Sequence, residues 1–362
     1  MYACMILCNN QQAIRMELYQ PVLEEFRKAG IFFDSLEFIP EKSAPSLRND
    51  VLAKTGKAAA LIMICDNAIL APLRTDLFRL FQADPNPTDA PLLLGNTTLF
   101  ILGTASEGVA MAKQSVIPYI EQQTGNSHGF IAIREMGAPL EELKSALETA
   151  KSVANGTAVI NVSENYGDIR IEILYDRHTS HMTLNEMQRV IVSRLDPYVY
   201  SVDDTPIAQC LVDYLKAQQM RISTGESFTG GGVGKRISEI PGASAVYFEG
   251  INSYNELSKQ QRLGVNEKTL WEHGAVSGET AYEMAAGLIL SGNCQISVST
   301  TGNAGPLSDK PENPVGLCYI AVGFPDQVFV HRHYFVGDRT RITQMGIHYA
   351  LFHAYQHLRN RY

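Results

Sequence analysis

The 362-residue chain has a single tryptophan and only six cysteines, Cys4, Cys8, Cys65, Cys210, Cys294 and Cys318, none of them in a CxxC pair. Thiols scattered over the whole length exclude a disulfide framework and a cysteine zinc site, and they predict a reducing compartment. No apolar run is long enough to span a bilayer; the longest covers residues 58–65. The N-terminal MYACMILC is apolar but lacks a basic n-region and a small-residue cleavage site, so it reads as a β-strand and not a signal peptide. These absences predict a cytoplasmic protein with no membrane partner. Positive charge is also short: 30 Lys and Arg against 38 Asp and Glu leave a net −8, which argues against a general nucleic-acid binder. With 45% hydrophobic and 19% charged residues, disordered and fibrous classes are excluded. Neither an internal repeat nor a low-complexity tract is visible.

What is present divides into three segments, in keeping with a domain size of roughly 150 residues. Residues 1–128 alternate strand-like runs (1–7, 31–38, 58–65, 99–102) with helical patterns (16–29, 46–55, 109–122), which predicts an α/β layered domain. The proline-rich stretch 84–91, DPNPTDAP, reads as an exposed connection. Residues 129–204 predict a small α+β module: a strand at 130–134, a helix at 140–153, a hairpin turning at 165–167, and a helix to Leu195 capped by Thr183. Asp203 and Asp204 mark the exit as a charge pair without an evident partner. Residues 205–362 predict a second α/β domain, with helices at 206–219 (Thr205 as N-cap), 279–290 and 343–361 and strands at 220–223, 295–300, 315–324 and 327–335.

The chemistry-bearing signals concentrate in that last segment. In STGESFTGGGVGK, a strand ends, Ser227 follows, and glycines open a helix. Such a turn aims a hydroxyl, backbone N–H groups and a helix N-terminus at one point, suiting a phosphate or an oxyanion; it equally suits close packing. The nucleotide P-loop pattern fails, because Thr229 stands where its first glycine belongs and Arg236 where Ser or Thr belongs. TTGNAGP, from Thr300, and GDRTR, from Gly337, offer an anion cradle and cations, or ordinary turns. Lys259 alone reads as a surface charge. His353 and His357 stand at i and i+4, a zinc-like spacing that lacks a third ligand nearby and fits a helix face. His331 and His333 alternate on one strand face and read as solvent-facing.

In order along residues 205–362 stand GESFTGG, PGAS, Tyr254 and Lys259 followed by LGV, then HGAVS, TTGNAGP, NPVG and FVGDR. This string closely resembles the CinA C-terminal domain, the nicotinamide-nucleotide amidase family, whose members hydrolyse the carboxamide of nicotinamide mononucleotide to nicotinate mononucleotide and ammonia for NAD salvage. The resemblance implies Ser227 as nucleophile and Lys259 as general base, with Tyr254 positioning it. It implies backbone donors in the turn Thr229, Gly230, Gly231 facing the oxyanion. For the nucleotide phosphate it implies the loop of Thr301, Gly302 and Gly305, with Arg339 and help from Thr229. Neither metal nor cofactor is implied for this reaction. A Ser–Lys pair makes chemical sense: a hydroxyl is a weak nucleophile, and a lysine whose pKa is lowered can take its proton and return it to departing ammonia.

The chain departs from the family pattern at Gly225, at Asn255, Glu256 and Leu257 between the tyrosine and the lysine, at Asn303, and at Asn313. These departures keep open a second reading, a catalytically silent scaffold or regulator that binds a pyridine nucleotide. Residues 1–128 resemble, more weakly, the molybdopterin-binding-like domain of full-length CinA proteins. The stretch beginning LFILGTASEG matches, but CDNAILAPLRTD stands where the family carries a glycine- and carboxylate-rich loop, and CNNQQAIRM replaces another motif. The resemblance therefore implies that the metal-dependent ADP-ribose pyrophosphatase activity of that domain is lost and a structural role in a homodimer kept.

Overall fold

A computed structural model describes residues 3–9, 15–31, 33, 35–40, 44–83, 90–124, 128–176, 178–308 and 311–361. The continuous apolar runs form central strands, as their two-sided hydrophobicity demands. In the N-terminal segment β1 (Ala3–Asn9), α1 (Met16–Lys28), β2 (Ser35–Pro40), α2 (Ala44–Lys54), β3 (Ala60–Cys65), α3 (Asn67–Leu80), β4 (Leu92–Leu94) and β5 (Thr97–Gly103) follow in order, then α4 (Ser106–Met111) and α5 (Ile117–Thr124), joined by a turn of π-helix. The sheet runs β2-β1-β3-β5-β4, parallel except for β4. Every residue of β3 and β5 is buried. The sequence CDNAILAPLRTD, expected as a loop, is instead the start of helix α3. Asp66 caps it by accepting from the Ala68 N–H at 3.0 Å, and Pro72 sits inside it. Residues 84–89 of the proline-rich connection and 10–14 of CNNQQAIRM lie outside the described residues.

Next come β6 (His128–Met136), α6 (Leu140–Ala154), β7 (Ala158–Asn165), β8 (Asp168–Asp176), α7 (His181–Leu195) and β9 (Val199–Ser201), with the sheet ordered β7-β8-β6-β9. The cap of α7 is Ser180, whose hydroxyl accepts from the Thr183 N–H at 3.0 Å; Thr183 is already inside the helix. The chain divides into two compact units: 1–130 with 154–159 and 173–184, and 131–153 with 160–172 and 185–362.

The C-terminal segment contains α8 (Ile207–Ala217), β10 (Ile222–Glu226), α9 (Gly232–Ser238), β11 (Tyr247–Asn252), α10 (Glu256–Leu263), α11 (Glu267–His273), α12 (Gly278–Leu290), β12 (Ile296–Gly302), β13 (Leu317–Gly323), β14 (Val328–Tyr334) and α13 (Arg339–Arg361). Its sheet is β11-β10-β12-β13-β14; the first three strands are parallel and the last two pairings antiparallel. The largest core packs α8, α9 and α13 against β10, β12 and β13, through residues such as Leu211, Val233, Ile296, Ile320 and Leu351. Thr205 does not cap α8. Pro206 occupies the cap position, and the Thr205 hydroxyl donates to Asp203 Oδ1 at 2.7 Å.

Two further expectations are corrected here. Asp204 is not an unpartnered linker charge: its carboxylate pairs with Arg134 at 2.8 Å and with Arg170, while Arg134 also reaches Asp168 at 2.7 Å. Sequence spacing hides this because the partners lie 34 and 70 residues away. His331 and His333 do not face solvent. They pack against α13, where His331 Nε2 meets His357 Nε2 and His333 Nε2 meets His353 Nε2, each at 2.8 Å, and the His331 and His353 rings stack at 3.7 Å. Burial holds His331 and His333 at about 4 and lowers His353 and His357 as well. Among the described residues no group of three His, Cys, Asp or Glu could hold a metal, and no helix is long and apolar enough to cross a membrane.

Candidate active site

The site forms where parallel strands β10 and β12 end, the usual place for ligands in an open α/β sheet. Strand β10 closes on Glu226, and Ser227 begins the turn into α9. Gly231 at φ 90° makes the helix cap, a left-handed conformation that glycine adopts without strain. Glu226, which the sequence does not single out, is buried. Its carboxylate accepts from the Val233 and Gly234 N–H groups at 3.0 and 2.8 Å and from the Thr229 hydroxyl at 2.8 Å. A carboxylate on the first N–H groups of a helix is favoured by the helix dipole, and here it fixes the turn that carries Ser227.

Lys259 reaches the same turn from α10. Asn255, one of the departures, caps that helix by accepting from the Leu257 N–H at 2.8 Å, and Gly264 ends it at φ 70°. The helix so placed buries Lys259 to 1% exposure. Its Nζ donates to Ser227 Oγ at 2.8 Å and to the Ser253 carbonyl at 2.6 Å. Burial lowers the Lys259 ammonium from 10.5 to about 8, and the Glu256 carboxylate opposes the shift. Burial wins because a desolvated cation loses more hydration than one solvent-exposed carboxylate returns. In its neutral form this amine presents a lone pair to the Ser227 hydroxyl while one N–H stays on Ser253.

Ser227 and Lys259 open onto a cavity of about 720 Å³, in the upper part of the size range of small-ligand sites. Thr301, Gly302, Gly305, Arg339 and Tyr254 line it too. Thr229, Gly230 and Gly231 do not. The Thr229 hydroxyl is buried between Glu226 and Thr300, 2.6 Å from Thr300 Oγ1, and the Gly230 N–H is committed to the Ser227 carbonyl at 3.0 Å. Arg339 is the first residue of α13, which starts four residues earlier than periodicity suggests. Its guanidinium donates to the Gly305 carbonyl at 2.5 Å and to Tyr254 Oη at 2.8 Å. Tyr254 is thus brought to Arg339 and not to Lys259. Asn303 acts within the loop itself. Its side chain donates to the Asn313 carbonyl and accepts from the Gly305 N–H, both at 2.9 Å, pinning residues 301–305. Trp271, Glu267 and Gln260 complete a wall that sequence reasoning passes over. The available signal is the position of Trp271 four residues after Glu267 in a short capped helix.

In the first unit, Asn67 Oδ1 accepts from the N–H groups of Thr104 and Ala105 at 2.8 and 3.3 Å. A side chain of the same chain therefore occupies two backbone donors of the LGTASEG loop, those of Thr104 and Ala105.

The arrangement defines an α/β protein with a serine–lysine pair at the floor of a polar cavity. Residues 204–358 match the CinA C-terminal domain. The chain is 30% identical over 267 residues to a putative competence-damage inducible protein of Caldanaerobacter subterraneus, covering 74% of this chain and 65% of that protein. It is 32% identical over 262 residues to a CinA-like protein of Kosmotoga olearia, covering 71% and 63%. The crystal structure of competence/damage inducible protein CihA from Agrobacterium tumefaciens is 34% identical, with a TM-score of 0.40, covering 41% of this chain and 90% of that one. The chain belongs to the CinA family. It spans a little under two thirds of the length of these curated relatives.

Proposed function

We propose that the C-terminal segment hydrolyses the carboxamide of nicotinamide mononucleotide to nicotinate mononucleotide and ammonia. The observation that carries this reading is the 2.8 Å contact between the buried Lys259 amine and Ser227 Oγ at the cavity floor. Neutral Lys259 removes the proton as Ser227 Oγ adds to the carboxamide carbon. The oxyanion meets an N–H group of the turn after Ser227. Gly230 is spent within the turn and Thr229 does not line the cavity, so that of Phe228, which lines it and makes no backbone hydrogen bond among the described residues, serves. Protonated Lys259 then hands its proton to the leaving ammonia, and water releases the nicotinoyl group from Ser227 by the reverse sequence. Arg339 and the 301–305 loop hold the phosphate.

Under this reading residues 205–362 are the amidase domain, 129–204 a linking module, and 1–128 a domain that has lost pyrophosphate hydrolysis; the spent donors of the LGTASEG loop support that loss. The chain works in the cytoplasm as a homodimer, which light scattering tests. Ammonia release by the purified protein against a Ser227→Ala control tests the activity. No release above the control sinks it, and nucleotide binding without release transfers the case to the scaffold reading.

A further inference from the structure

One wall of the cavity is built by α10 and α11, and it combines negative charge with a flat ring. Glu256 lies three residues before Lys259 on α10, near enough for its carboxylate to act on the Lys259 ammonium. Glu267 and Trp271 stand four apart on α11, hence on one face of it, and both line the cavity. Trp271 lines it while remaining 85% exposed, so the one tryptophan of the chain contributes little to the fold at its own position. The negative face of an indole is the best aromatic surface for a cation, and carboxylates beside it add to the attraction. Arg339, held by Tyr254 Oη at 2.8 Å, supplies positive charge to the same cavity. The lining therefore offers one anion-seeking group, Arg339, and a cation-seeking face along α10 and α11.

The geometry points to Glu256, Glu267 and Trp271 as a specificity wall that selects a positively charged ring, an N-substituted pyridinium, over a neutral ring of the same shape. The placement of the ring rests on the amidase reading. A ring bonded to a carboxamide at Ser227 lies beside Lys259, and three residues of helix, a rise of about 4.5 Å, separate Lys259 from Glu256. The N-ribosylated pyridine of a nicotinamide mononucleotide carries a full positive charge. Its 1,4-dihydro form has gained a hydride and is neutral, with carboxamide, ribose and phosphate unchanged. The wall acts on the difference between these two.

Calorimetric titration of the Ser227→Ala protein with each ligand tests this without turnover. The oxidised nucleotide is expected to bind about 2- to 30-fold tighter than the dihydro form, the span that a cation–π contact provides. The preference should narrow as salt rises. Adding Trp271→Ala or Glu256→Gln with Glu267→Gln should cut the ratio toward one, and Trp271→Phe should keep most of it. Equal affinities, a ratio untouched by the substitutions, or no binding of either ligand at millimolar concentration overturns the inference. Ammonia release without charge preference removes the wall and leaves the amidase; charge preference without ammonia release does the reverse.

Discussion

Replacing Lys259 with methionine separates what this residue does for chemistry from what it does for folding. At pH 7 a lysine with a pKa of about 8 is neutral in roughly one molecule in ten, against about one in three thousand at 10.5. Wild-type kcat/KM should therefore rise about tenfold per pH unit below 8 and level off above it. The methionine variant should lose about 10²- to 10⁴-fold in kcat, the usual contribution of a general base. Stability should move the other way. The folded-state pKa lies below the unfolded value, so a cost is present below pH 8 and is relieved as pH rises from 8 to 10.5, where the unfolded chain still binds the proton. Against that cost stand the hydrogen bonds to Ser227 and Ser253, each worth about 1 kcal/mol. The net expectation is a gain of about 1–2 kcal/mol for the methionine variant at pH 7, shrinking toward pH 10. Melting curves at both pH values and ammonia release across pH 6–10 read it out. A variant that keeps a tenth of its activity, or a wild-type profile flat through pH 8, refutes the assignment of Lys259 as base.

Arg339→Ala should raise KM by about 10- to 100-fold, the loss of a charge-assisted contact, and change kcat little; a pure kcat defect would put the residue elsewhere in the reaction. The four clustered histidines predict acid lability. Their folded pKa values lie below the ordinary 6.5, so the unfolded chain takes up protons first and stability falls as pH drops from about 6.5 toward 4. Melting temperature followed over that range checks this, and His331→Gln with His333→Gln should flatten the slope. Asp204→Ala takes from Arg134 and Arg170 the carboxylate they share and should cost about 2 kcal/mol or more in urea unfolding; a loss under 0.5 kcal/mol would mean that Asp168 on Arg134 and Glu172, 2.5 Å from Arg170, suffice.

Local patterns are readable where the answer is local. The turn and helix around Ser227 follow from glycines after a short strand, and the runs at 58–65 and 99–102 become buried strands. What escapes depends on distance or on ambiguous signals. Helix α3 is hidden because Pro72 and the polar CDN start imitate a loop, although Asp66 before Asn67 is a helix-start signal. The histidine layer needs the register of β14 against α13, which no single-strand period contains. The carboxylate of Glu226 turns inward because its acceptors are wanted by N–H groups seven and eight residues later. Lys259 alone looks like a surface charge; only the resemblance, and then the burial, separates it from other lysines.

Helix α13 is a single rod of 23 residues, about 35 Å long. One end presents Arg339 to the cavity. Farther along, Arg341 pairs with Glu164, Tyr349 lies against Gly137 and Gly167, and Arg359 donates to the Val199 carbonyl. Three points on the rod are thus gripped by residues that precede position 204. A chain trimmed to begin at 205 would keep every cavity-lining side chain and the core under the rod, and still lose these three grips on it. The guanidinium at its tip would then be aimed by the remaining core alone. The boundary that sequence motifs draw around this chemistry is therefore narrower than the one its mechanics obey.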